Sequence, residues 1–185
     1  MSLKAIISAF VLGAIANYAQ ADTPILNSAL PPLAIDDRGQ MLLDGDSITY
    51  SPWSSDINPG KVHVLQYVAA TRSASKAYSP FTDKLAEAFS PEDFHVTTII
   101  NLDDALWGTA GLVVSEVEDS KRKFPKSTLV VDENGAGLKS WDLSKKGFAL
   151  AILDKQGSVV FFTQKPMAEG DLENMVNLVK SQIGG

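Results

Sequence analysis

The sequence predicts an α/β fold: a central mixed sheet flanked by helices, with a β-hairpin at its N-terminal side. Three observations predict it. Apolar, β-favouring runs alternate along the chain with segments of helical periodicity. Turn signals rich in Asp, Asn, Gly and Pro separate these runs. The 185 residues are 45% hydrophobic and 21% charged. Those are ordinary values for a single globular domain, and they exclude a disordered, collagen-like or low-complexity chain.

Residues 1–21 stand apart from the fold and read as a secretory signal peptide. Lys4 is the only charge before Asp22, residues 5–16 are apolar or small, and Ala19-Gln20-Ala21 is an A-x-A cleavage site. The apolar run is too short for a membrane span, which needs about 20 residues. Export is therefore expected, with a mature domain of residues 22–185 and no stable membrane insertion after cleavage.

Residues 22–60 are rich in turns. Short strands at 41–43 and 47–50 form the expected hairpin around Asp44-Gly45-Asp46, and Asn58-Pro59-Gly60 is a turn. Residues 62–70 are almost continuously apolar, as in a strand buried on both faces. From Ser73 to Phe89 the period becomes helical, through Tyr78, Phe81, Leu85 and Phe89, with Pro80 expected to kink or restart the helix. Residues 94–101 are the next strand. A right-handed crossover makes 62–101 a parallel βαβ unit. Residues 112–124 read as a helix with Leu112, Val113, Val117 and Phe124 on one side, cations 121–123 at its end and Pro125 beyond. Residues 127–132 are a strand, 149–154 and 158–162 a hairpin across Lys155-Gln156-Gly157, and Leu172, Met175, Val176, Val179 and Ile183 mark a last helix.

The formal charge of −6 disfavours binding to nucleic acid, which takes a basic surface. There is no cysteine. Disulfides, thiolate metal sites and thiol nucleophiles are thereby excluded, and an exported chain must rely on an ordinary core.

The element order resembles the thioredoxin fold. Thioredoxins run an apolar strand into C-x-x-C-K-x-x-x-P at the start of a helix. Here Lys76 and Pro80 stand where that pattern has Lys and Pro, and Arg72 and Ser75 stand in place of the two cysteines. The cis-proline that usually precedes a later strand, one ending in an acidic turn with Gly, is also missing: the residue before the strand at 149–154 is Phe148, for which a trans bond is expected, since a cis bond costs about 2.5–4 kcal/mol without proline. More specifically, the chain is similar to the YtfJ family of periplasmic proteins. The supporting stretches are Ile35-Asp36-Asp37-Arg38-Gly39, residues 97–105, residues 130–135 and Ile152-Leu153-Asp154-Lys155-Gln156-Gly157. The resemblance implies a redox-inactive thioredoxin-like domain in a Gram-negative periplasm. It implies no activity, because the family is uncharacterised.

The candidate ligand-binding residues are Thr71, Arg72, Ser73, Ser75 and Lys76. A helix N-terminus offers free N–H groups, and hydroxyls with two cations beside it suit an anion, a carboxylate or a peptide terminus. Capping hydroxyls and solvated cations are the plainer reading of the same residues. Trp107, in the loop after the second parallel strand, is a candidate interface, because ligands of open α/β sheets sit at strand carboxyl ends. His63 and His95 lie in predicted central strands and read as buried or edge histidines with satisfied nitrogens. The Asp pairs at 36–37 and 103–104 do not match a calcium loop, and no G-x-S-x-G elbow is present. No catalytic residue, metal or cofactor is assigned. The expected function is a binding module recruiting a periplasmic protein, a peptide or a small anion. The alternatives are an enzyme with non-thiol chemistry at residues 72–76, and a metal or haem carrier through His63 or His95.

Overall fold

The computed structural model describes residues 22–56, 60–71 and 74–185. The expected signal peptide and the Asn58-Pro59 part of the turn lie outside the described residues. Seven strands form one mixed sheet. They are β1 (Ala34–Asp44), β2 (Ser47–Ser54), β3 (Val62–Ala69), β4 (Phe94–Asn101), β5 (Thr128–Asp132), β6 (Phe148–Leu153) and β7 (Val159–Thr163). Their order is β2-β1-β5-β4-β3-β6-β7. β3, β4 and β5 are parallel; the outer pairings are antiparallel.

The register sorts the side chains, because alternate residues of a strand leave opposite faces. Val62, Val64 and Val68 of β3 and Leu150 and Ile152 of β6 face a core closed by helices α1 (Ser79–Ala88), α2 (Ala110–Lys123) and α4 (Leu172–Gly184). Phe81 and Leu85 of α1 are fully buried there, and each contributes about 1.5–3 kcal/mol of transfer free energy. Leu65, Tyr67, Ile99 and Val130 face the other way. They are covered by the short helix α3 (Ala136–Ser140), by Trp141 and by the segment around Leu33.

Several boundaries differ from expectation. The predicted helix from Ser73 is a 3-10 turn over Ala74–Lys76, followed by α1 from Ser79. Tyr78, at φ −122° and ψ 3°, is not helical, and Pro80 occupies the first helical turn, where a missing N–H costs nothing. Proline thus starts the helix instead of kinking it. On α2 Val113 and Val117 pack against the sheet as expected, together with the buried Val114 and Lys121. Leu112 sits about 200° round the helix from Val114, and both it and Phe124 are exposed. Trp53 is a strand residue of β2, opposite Ile35, and not part of a turn. The hairpin strands are longer than expected, with a register shift between Ile35 and Gln40. Gly39 sits inside that shift at φ +73°, and a Cβ there would meet the Ser51 carbonyl oxygen at 2.1 Å. Helix α3 was not foreseen; Gly135, in the left-handed region at φ +66°, turns the chain into it.

Candidate functional site

Three parallel strands deliver their carboxyl ends to one edge of the sheet. The β3 end is bonded to the β4 end through Ala70 N–H and the Asn101 carbonyl, 2.9 Å. The predicted 71–76 junction leaves from there. The Thr71 hydroxyl accepts the Ala74 N–H at 3.3 Å, which caps the 3-10 turn in the way the plainer reading expected. Lys76 is exposed. Arg72, Ser73 and the Ser75 side chain lie outside the described residues, so the junction's two hydroxyls and its arginine have no described geometry. Behind the junction Tyr78 is buried edge-on against Phe148, at 5.5 Å between ring centroids, and donates to the Lys165 carbonyl at 3.1 Å. Burial pushes its phenol well above the ordinary tyrosine range.

The next loop is fixed from inside. The Asn101 amide donates to Asp104 Oδ2 at 2.9 Å, and its carbonyl accepts the Asp103 N–H at 3.0 Å. The same Asp104 oxygen accepts the Lys146 N–H at 2.7 Å. Lys146 holds φ +55°, a left-handed conformation costing about 1–2 kcal/mol for a residue with a side chain. That contact ties the β4 loop to the approach into β6. Gly147 joins Phe148 through a trans bond. The acidic pair 103–104 is therefore loop architecture.

Beyond that anchor the chain turns outward. Trp107 is 100% exposed, with Leu106 at 66% and Leu112 at 69%. The other two tryptophans are absorbed by the fold. Trp141 is buried and donates to the Pro31 carbonyl at 2.9 Å, and Trp53 packs partly against the second core.

At the β5 end, Asp132 is 0% exposed and accepts three hydrogen bonds. The Ala136 and Gly137 N–H groups and the Tyr67 hydroxyl each lie 2.8 Å from its oxygens. The Tyr67 oxygen in turn accepts the Leu138 N–H at 3.0 Å. Three donors satisfy the lone pairs of the buried carboxylate. Burial, then Asp132, push the Tyr67 phenol far above its usual range. This network supports α3, and it was missed because Asp132 reads locally as a turn residue.

The amino ends of β3 and β4 hold a second constellation. His63 and His95 are direct register partners, with ring centroids 4.9 Å apart and planes at 84°. His63 Nε2 lies 2.9 Å from Thr97 Oγ1, and His95 Nε2 lies 2.9 Å from Thr128 Oγ1. The expectation of buried or edge histidines describes their setting, with Nε2 partnered on each ring, but their adjacency was invisible in a sequence that separates them by a helix. They floor a groove of about 550 Å³, also lined by Gln40, Trp53, Asp56 and Lys61. Burial, helped by His95, lowers the His63 pKa to about 3, and burial with Lys61 nearby lowers that of His95.

The fold and the cysteine-free edge define a thioredoxin-like domain without the thiol pair. Among the thioredoxin-like structures it matches is the thioredoxin domain of a thiol-disulfide oxidoreductase from Bacteroides vulgatus, at TM-score 0.58 and 17% identity, covering 84% of this chain and 98% of that one. The chain belongs to the family of bacterial proteins of unknown function designated YtfJ_HI0045, whose pattern matches residues 25–182. It is 34% identical to the uncharacterised protein YtfJ of Escherichia coli (strain K12), over 155 residues, 83% of this chain and 84% of that one. It is 32% identical, over the same shares of the two chains, to an uncharacterised protein of Haemophilus influenzae. Among the described residues no helix is long and apolar enough to cross a membrane.

Proposed function

We propose that this protein is an exported, periplasmic binding module that recruits a protein, a peptide or a small anion at the carboxyl edge of its parallel strands. The exposed Trp107, flanked by Leu106 and Leu112, carries the reading. Three large apolar side chains within seven residues of loop and helix start are left in water, although each would gain about 1.5–3 kcal/mol on burial. Tryptophan is also the residue type most enriched at the centres of interfaces. The loop is held from behind by the Asn101–Asp104–Lys146 bonds, so it presents the indole at low ordering cost. The 71–76 junction leaves the neighbouring strand at the same edge. Lys76, exposed there, suits a carboxylate or other anion on whatever Trp107 engages, and Arg72 is its cationic neighbour in the sequence.

Affinity capture from periplasmic extract tests the reading. Wild type captures a defined partner, Trp107→Ala loses it, Trp107→Phe restores part of it, and Arg72→Ala weakens it. Equal capture by wild type and Trp107→Ala contradicts the assignment.

A further inference from the structure

We propose that His63 and His95 form a two-imidazole chelate for a borderline transition-metal ion, copper(II) ahead of zinc, on the floor of the groove at the amino ends of β3 and β4. This site lies at the end of the strands opposite Trp107 and does not depend on the proposed binding edge.

The register carries the argument. Direct partners on adjacent parallel strands send their side chains from the same face, and here that places two imidazoles 4.9 Å apart between centroids. Each ring is fixed in the same way, by a threonine hydroxyl on the next strand at 2.9 Å from Nε2. In the tautomer this chelate uses, Nε2–H donates to the threonine oxygen and Nδ1 carries the lone pair on each ring, so that the hydroxyl is the partner that orients a metal-binding histidine. Imidazole suits copper and zinc, and copper(II) stands above zinc in affinity for nitrogen ligands. Among the described residues no third His, Asp or Glu joins the pair in a group that could hold an ion. The chelate therefore has two protein ligands, and water or a small molecule in the groove beside Gln40, Asp56 and Lys61 would fill the remaining positions.

The test is titration of the untagged full-length protein at pH 7.5 with copper(II) alone and, separately, zinc alone. Calorimetry and native mass spectrometry give stoichiometry and affinity, and electron paramagnetic resonance counts the nitrogens on copper. The expected result is one copper per chain with a dissociation constant on the order of micromolar, two-nitrogen hyperfine structure, and weaker zinc binding at the same site. The variants are at the more exposed partner and its support, His95→Gln and Thr128→Val. His95→Gln weakens copper at least ten-fold and leaves one nitrogen; Thr128→Val, which keeps the ring and loses its support, weakens it by about ten-fold, within the 10–100-fold span of outer-shell effects. No stoichiometric copper at about 100 µM, far above a micromolar constant, overturns the proposal. So does copper binding that His95→Gln leaves unchanged.

Discussion

Acid acts on this fold through His63. The ring is 6% exposed and its pKa is lowered to about 3 by burial and then by His95. In the unfolded chain a histidine titrates near 6.5. The folded state thus disfavours the proton, and the unfolded state takes it up first as pH falls. The stabilisation from a neutral His63 is complete above about pH 6.5 and drains away between there and about pH 3. One pKa unit is worth about 1.36 kcal/mol, so the loss is about 2 kcal/mol at pH 5 and about 4–5 kcal/mol by pH 3. For a domain of this size about 2 kcal/mol lowers Tm by roughly 4–8 °C. His63→Gln removes the titrating group and keeps a polar side chain beside Thr97. The assay is urea unfolding of wild type and His63→Gln at steps between pH 7.5 and 5. Wild type loses about 2 kcal/mol more than the variant across that range. Parallel pH profiles for the two proteins refute the reasoning, as does a His63 ring that titrates near 6.5 by NMR in the folded state.

Three further perturbations follow from the packing. A Cβ on Gly137 would lie 2.4 Å from the Tyr67 ring, so Gly137→Ala costs about 1–3 kcal/mol by overpacking, read as a lower urea midpoint. Asp132→Ala strands two N–H groups and the Tyr67 hydroxyl that point at the carboxylate, and about 3 kcal/mol or more is lost, with α3 amides exchanging faster by hydrogen exchange. Trp107→Ala touches nothing buried, so thermal unfolding stays within about 0.5 kcal/mol of wild type, while the solvent-exposed, red-edge component of the tryptophan fluorescence disappears.

The strand–helix alternation was legible because its signals are local. The nearly continuous apolar run of β3 and the 81/85 stripe of α1 each announce their element within ten residues. Leu112 misled for a related reason: apolar residues near a helix start look like core until the neighbouring turn fixes the phase, and here the buried Val114 joins Val113 and Val117 in its place. Helix α3 stayed hidden because five residues give no period; its stability comes from Asp132 and Tyr67, on two different strands. The His63–His95 pair was unreadable for the same reason, since only strand pairing brings positions 63 and 95 together. Trp107 was legible as a candidate from its place after β4, and its full exposure separates it from Trp53 and Trp141. The junction residues were named from the thioredoxin pattern, and of these the structure describes the Thr71 cap and the exposed Lys76.

The most direct test of the central claim is photo-crosslinking in the exporting cell, with a photoreactive residue at position 107 and, as control, at position 92. Glu92 is exposed just before β4, at the opposite end of the strands. The binding-module account predicts a discrete covalent adduct from position 107 and none from position 92. No adduct at 107, or the same adducts from both positions, contradicts it.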